Sequence, residues 1–139
     1  MTPKMLDSSA KLRATETGRV GENLAAYYLE SVGIEASIVD RRGSDIWCRK
    51  PDGGMFSLEV KTAREAYKFS PNRTRYTYRV RNRKADHYMM VCLNTNMFRI
   101  FSLDELIDRW PNCMVYLKSS DFTSQRMNID IQTLIGPLS

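Results

Sequence analysis

Phe56-Ser57-Leu58-Glu59-Val60-Lys61-Thr62 is the stretch on which the fold turns. Apolar and polar side chains alternate along it, which is the period of a strand with one buried face. Glu59 and Lys61 therefore leave the same side of that strand. Just upstream, Gly43-Ser44-Asp45-Ile46-Trp47 brings a second carboxylate at the start of another short strand, and Pro51-Asp52-Gly53-Gly54 between the two is a strong turn signal. Two carboxylates and one ammonium converging on one face can hold a hard divalent cation beside a group that manages protons. The hairpin register decides whether they converge. A five-residue loop, Pro51 to Met55, sets Asp45 opposite Lys61 and Trp47 opposite Glu59, all on one face. A four-residue loop, Pro51 to Gly54, sets Asp45 opposite Val60 on the wrong face. A shared site requires the odd-length loop or an equivalent bulge.

Reading outward, a helix is predicted from about Thr17 to Ser31, with Thr17 as N-cap and Gly33 as its stop. Val20, Leu24, Ala25, Tyr27, Tyr28, Leu29 and Val32 form a broad apolar arc, and Glu22 falls on its edge. Residues 1–14 are polar and mixed, and are expected to be mobile or a loose helix. Strands are predicted at Ile34 to Arg41, Ser44 to Arg49, Met55 to Thr62, His87 to Leu93 and Met97 to Phe101. Ser102-Leu103-Asp104-Glu105 has capping-box spacing and starts a helix to about Trp110, before Pro111. In the tail, Val115-Tyr116-Leu117 and Ile129 to Ile135 read as short strands or an edge. No repeat, low-complexity stretch or linker divides the chain, so residues 1–139 are expected to be one domain. The order suggests an α/β fold, a mixed β-sheet flanked by helices.

Charge is the second informative feature. The whole chain carries +5, yet residues 64–84 alone hold Arg64, Lys68, Arg73, Arg75, Arg79, Arg81, Arg83 and Lys84 against Glu65, leaving the remainder mildly acidic. A concentrated basic patch favours a polyanionic partner. Within it Arg73, Arg75, Arg79 and Arg81 alternate with Thr74, Tyr76, Tyr78 and Val80. As a strand, that segment presents a guanidinium row on one face and an aromatic, β-branched set on the other. Such a row matches the phosphates of a nucleic-acid backbone. A solvated strand face is the plainer reading, but lysine and glutamate of mixed sign would serve it equally well.

Other chemistries are excluded by composition. One histidine, His87, cannot build a His-rich metal site, and no Gly-x-Ser-x-Gly elbow accompanies it. Phosphate-binding Gly-x-x-x-x-Gly-Lys and Gly-x-Gly-x-x-Gly loops are lacking. Cys48, Cys92 and Cys113 are odd in number and far apart, as expected of free thiols in a reducing, cytoplasmic compartment. No apolar run approaches the roughly 20 residues of a membrane span. The N-terminal Met1 to Asp7 lacks the apolar stretch of a signal peptide. Chemistry is left to carboxylates and lysines.

Gly18-Arg19-Val20-Gly21-Glu22-Asn23-Leu24-Ala25-Ala26-Tyr27-Tyr28-Leu29, then Gly43-Ser44-Asp45-Ile46, then Leu58-Glu59-Val60-Lys61-Thr62-Ala63 together resemble the core of the PD-(D/E)XK nuclease superfamily. The likeness covers residues 18–63 by motif and continues to 110 by strand order. The Gly-x-x-Gly-Glu helix start is similar to Holliday-junction resolvases and to small restriction or homing endonucleases of that superfamily. Ser44 stands where the superfamily name has proline. The resemblance implies a restriction-endonuclease-like core. It implies that Asp45, Glu59, the Val60 carbonyl and Glu22 hold Mg²⁺ (with Mn²⁺ able to substitute), and that Lys61 joins the catalytic set. It also implies DNA, duplex or branched, as substrate, contacted by Arg73, Arg75, Arg79, Arg81, Arg83 and Lys84. A homodimer or higher homo-oligomer is expected, since cutting both strands needs two sites. Two further readings are a structure-selective junction resolvase and a non-catalytic nucleic-acid-binding module on the same fold. An intact Asp, Glu and Lys set argues against the last, because a binder has no need to gather costly charges.

Overall fold

In a computed structural model, residues 14–39, 46–70, 73–81 and 83–136 are described, with backbone only at 14–15, 67–70 and 73–74. Helix α1 (Ala14–Ser31) leads into strands β1 (Glu35–Ile38), β2 (Ile46–Arg49) and β3 (Met55–Ala63). A hairpin of β4 (Tyr67–Ser70) and β5 (Arg73–Arg79) follows, then β6 (His87–Cys92), β7 (Met97–Ser102), α2 (Leu103–Arg109), β8 (Met114–Leu117) and α3 (Ser124–Ile135). Five strands form a sheet in the order β1-β2-β3-β6-β7, and β4-β5-β8 form a second, smaller one. Within the larger sheet β3 and β6 are parallel and the other neighbours antiparallel. The result is the expected α/β architecture, a mixed sheet flanked by helices.

Alternation along β3 and β6 explains the layering. Phe56, Leu58 and Val60 of β3 and Met89 and Val91 of β6 join Ala25 and Leu29 of α1 and Ile131 and Leu134 of α3 in one apolar cluster. The opposite face of β6, Tyr88, Met90 and Cys92, packs with Tyr76, Tyr78 and Val80, with Leu106 of α2, and with Val115 and Leu117 of β8. Helices α1 and α3 therefore cover one face of the larger sheet, and the small sheet with α2 covers part of the other. Tyr76, Tyr78 and Met89 are core residues.

Local signals hold at several element ends. Ser102 caps α2 by accepting the Glu105 N–H at 3.2 Å, and the Glu105 carboxylate returns to the Ser102 N–H at 3.0 Å. Gly33 has φ 87°, a left-handed conformation that glycine enters without steric cost. There the Gly33 and Ile34 N–H groups reach the Glu30 and Leu29 carbonyls and close α1 as a Schellman motif.

Three expectations need correction. Thr17 is not the N-cap. The helix begins at Ala14, and Thr17 is buried within it. Val20, Tyr27 and Val32 are exposed, so the apolar face of α1 is narrower than the predicted arc and runs through Leu24, Ala25, Tyr28 and Leu29. The segment Ile129 to Ile135, read as strand or edge, lies in α3. Met127, Ile131, Leu134 and Ile135 recur at helical spacing on the core side, and the Thr123 hydroxyl caps the helix by accepting the Arg126 N–H at 3.1 Å. Of the expectation for residues 1–14, all but Ala14 lies outside the described residues.

α3 is tied to β7 by a buried ion pair. Arg99 Nε donates to Asp130 Oδ2 at 2.8 Å, and the Ile100 N–H donates to the same oxygen at 2.8 Å. Removing one member leaves a desolvated charge without its counter-charge. Arg99→Met is therefore expected to cost about 3–5 kcal/mol in urea unfolding, only part of it recovered in Arg99→Met/Asp130→Leu, where the Ile100 N–H loses its acceptor. His87 supplies a second check. Burial, partly opposed by the charge of Asp86, lowers its pKa from the usual 6.5. The unfolded chain then takes up a proton that the folded one resists, so this group removes stability as pH falls below about 6.5. Urea midpoints measured from pH 7.5 to 5 should decline less steeply for His87→Asn than for the unsubstituted protein.

Candidate functional site

The β2–β3 hairpin pairs Ile46 with Leu58, Trp47 with Ser57, Cys48 with Phe56 and Arg49 with Met55. Five residues, Lys50 to Gly54, separate the strands, and the turn is closed by the Gly53 N–H on the Lys50 carbonyl at 2.9 Å. The loop is odd in length, as a shared face requires. The register is nonetheless two residues from the one predicted: Trp47 faces Ser57 rather than Glu59. Both registers keep odd-numbered residues of the two strands on one side, so the offset changes the opposing partners and preserves the face. Asp45 itself lies outside the described residues.

On β3, Glu59 and Lys61 do share a face. Lys61 Nζ lies 3.3 Å from Glu59 Oε1. Glu59 is 7% exposed, while Lys61 keeps about a third of its side chain in solvent, 33%. Burying a carboxylate is costly unless a counter-charge and hydrogen bonds accompany it, so a buried Glu on a strand marks a position where the charge is wanted. Ile46 of β2 lies opposite Leu58, and β3 continues beside β6 as far as Ala63. The Glu59–Lys61 pair thus follows directly on the position that Ile46 pairs with. Tyr88 of β6 stands directly across from Glu59. Its pKa is raised by burial first, with the negative charge of Glu59 contributing.

Around this pair the fold is tightly fastened. Asp86 Oδ2 accepts the Ser57 N–H at 2.9 Å, and Ser57 Oγ accepts the Asp86 N–H at 3.0 Å, which ties β3 to the start of β6. Helix α1 crosses β3, with Gly21 against Thr62 and the half-buried Glu22 next along the helix. Ser57, Tyr88, Gly21 and Thr62 were not singled out by sequence reasoning. Only the glycine of Gly-x-x-Gly-Glu offered a signal, and its meaning is a contact across the fold.

The basic strand behaves as its alternation predicts. Tyr76, Tyr78 and Val80 are buried, and their side is held by Tyr78 Oη donating to the Val91 carbonyl and Tyr76 Oη to Asn94 Oδ1, each at 3.0 Å. Arg79 and Arg81 are exposed, and the Arg75 guanidinium lies 5.8 Å from the Tyr116 ring centre. β5 packs against β3, so the arginine strand adjoins the strand of Glu59 and Lys61. Lys84 is exposed as well. Arg73 is described in backbone only, at the start of β5. Arg83 differs from the others: its guanidinium donates to the carbonyls of Val80, Trp110 and Asn112 and so bridges β5 to the loop after α2. Most of its donors are committed to backbone.

Does the donor set fit a hard cation? Glu22 and Glu59 are carboxylates and Val60 offers a carbonyl, all oxygen donors, and Mg²⁺ is commonly held by one or two carboxylates with waters retained. Among the described residues no group of three or more His, Cys, Asp or Glu side chains gathers as a metal cluster, and Asp45 lies outside them. The set fits Mg²⁺ and does not suit zinc, which favours sulfur and imidazole. Among the described residues no helix is long and apolar enough to cross a membrane, and Cys48, Cys92 and Cys113 are free thiols.

Layer order and strand order define an α/β fold, a mixed sheet flanked by helices. Among solved structures the chain is similar to a bacterial homing endonuclease, I-Ssp6803I, at 17% identity and a TM-score of 0.60, over 82% of this chain and 80% of that one. At that identity the likeness is one of fold. No protein-family model matches the chain, and no curated protein matches it in sequence.

The Glu59–Lys61 pair lies between the fully buried and fully exposed limits. Lys61→Met is expected to destabilise the protein by about 2 kcal/mol in EDTA, because it takes a counter-charge from the buried Glu59 carboxylate. Chemical denaturation should show Glu59→Gln/Lys61→Met close to the unsubstituted protein.

Proposed function

We propose that this chain is a Mg²⁺-dependent endonuclease of the PD-(D/E)XK type that hydrolyses phosphodiester bonds in DNA. One observation carries the reading: a buried glutamate ion-paired to a lysine two residues on, on a strand that α1 crosses beside Glu22 and against which an arginine-rich strand packs. Likeness in fold to a protein described as a homing endonuclease supports it.

Glu59, the Val60 carbonyl, Glu22 and Asp45 would hold the cation. Asp45 directly precedes Ile46, and Ile46 pairs with Leu58, the neighbour of Glu59. Bound there, Mg²⁺ supplies Lewis-acid polarisation of the phosphoryl oxygen and stabilises the leaving alkoxide. Lys61 orients the attacking water and offsets the negative charge that builds on the phosphoryl oxygens. Its 3.3 Å contact with Glu59 holds the ammonium at the site before substrate arrives. Arg75, Arg79 and Arg81, joined by Arg73 and Lys84, position the phosphate backbone, which fixes register without reading sequence. Arg83 contributes chiefly by keeping β5 and the loop after α2 together. Cleavage of both strands calls for two copies of the site and hence a homodimer or larger assembly.

Supercoiled plasmid and a four-way junction, each with Mg²⁺ or EDTA, test the proposal. Cleavage should require Mg²⁺ and should be lost in Asp45→Asn and in Lys61→Ala while DNA binding persists. Metal-dependent cleavage by Asp45→Asn would remove the site assignment, and preference for the junction over linear duplex would mark a resolvase. Arg79→Ala should reduce the slope of log affinity against log salt by about 1. An unchanged slope would place Arg79 off the interface.

A further inference from the structure

Gly21 and Gly18 lie one turn apart on α1, yet their surroundings differ. A β-carbon on Gly18 would meet nothing within 4 Å. A β-carbon on Gly21 would overlap Thr62 Oγ1 and lie 2.9 Å from both Thr62 Cβ and Cγ2. Rotating the threonine moves its Oγ1 and Cγ2 but leaves its β-carbon in place, so the clash cannot be relieved at the side chain alone. Hydrogen bonding does not account for Thr62 either: its Oγ1 is buried with no hydrogen-bond partner among the described residues. What Thr62 contributes at this point is shape. Glycine inside a helix is unfavourable relative to alanine, so its presence at position 21 answers a demand for close approach.

That approach stands one residue away from two members of the proposed site, Glu22 on the helix and Lys61 on the strand. Glu22 follows Gly21 on α1, and Lys61 precedes Thr62 on β3, with Glu59 two residues before Lys61. We propose that the Gly21–Thr62 contact is a positioning device: it holds α1 close enough to β3 for the Glu22 carboxylate to reach around the strand, from the face that α1 covers, to the cation that Glu59 holds on the other. The inference rests on the metal-site reading above and adds Gly21 and Thr62 to it as positioning residues. Neither touches the cation. Their effect passes through the separation of helix and strand.

Calorimetric titration of the DNA-free protein with Mn²⁺ reads this directly. Gly21→Ala is expected to weaken Mn²⁺ binding by about tenfold, the usual scale for supports behind a ligand, with duplex affinity in EDTA unchanged. Gly21→Ala/Thr62→Gly removes the obstruction from the other side and should regain most of the lost affinity. Gly18→Ala, where there is open space, should raise Tm by a few degrees and keep the Mn²⁺ affinity. Wild-type affinity in Gly21→Ala would overturn the inference and leave the metal site standing. If Gly21→Ala loses helical circular dichroism, the double variant carries the test: recovered helix without recovered Mn²⁺ affinity also overturns it. No Mn²⁺ binding by the unsubstituted protein would overturn the metal reading and this inference together.

Discussion

β3 must be covered on both faces along part of its length, and the arrangement of the molecule follows from that constraint. Its even-numbered residues, Phe56, Leu58 and Val60, are sealed by α1 and α3. Its odd-numbered residues face the other way, where the small sheet covers β6 more fully than it covers β3. Ser57 is occupied by Asp86, and Glu59 follows with Lys61 beside it. The parallel pairing of β3 with β6 makes this possible, since β6 presents Met89 and Val91 to one cluster and Tyr88, Met90 and Cys92 to the other. Strands buried on both faces lose the simple alternation of a half-exposed sheet, which is why His87-Tyr88-Met89-Met90-Val91-Cys92 reads as a nearly continuous apolar run.

Electrostatics work at two ranges around that strand. At close range, Lys61 lowers the cost of keeping the Glu59 carboxylate out of water. At longer range, the basic excess of residues 64–84 is carried on β4, β5 and the following turn, and β5 packs against β3. The inward tyrosines of β5 are fixed by hydrogen bonds to Val91 and Asn94, so the strand has little freedom to rotate its arginines into the core. A polyanion drawn to the exposed face of β5 would thereby be brought toward the Glu59–Lys61 ion pair. Attraction at the rim and charge compensation at the centre are served by different residues, so they can be separated by substitution.

Much of this was legible in the sequence because it is local. Strand alternation gave Glu59 and Lys61 a common face, the odd arginines of β5 point away from its buried tyrosines, and Ser102, Glu105 and Gly33 end their helices as their chemistry requires. Hairpin parity was readable too, but its offset was not. Loops at 50–54 and 51–55 both keep the polar residues together, and only backbone closure between Lys50 and the Gly53–Gly54 turn selects the first. Harder still was whatever depends on distant partners. β8 pairs with β5 across more than thirty residues of chain, leaving no local trace of the second sheet. Isoleucines at 129, 131 and 135 suggest a strand by type, while the buried positions of α3 follow a helical period that includes Met127 and Leu134. The meaning of Gly21 appears only when Thr62 is seen against it.

The central claim is that the Glu59 carboxylate, with Lys61 at its side, belongs to a cation-holding centre on β3. An anomalous difference map from crystals soaked in Mn²⁺ tests it most directly. The account expects a single strong peak within bonding distance of a Glu59 oxygen, with Asp45 among the other ligands. A map with no peak there, or one whose peaks lie away from β3, would contradict it.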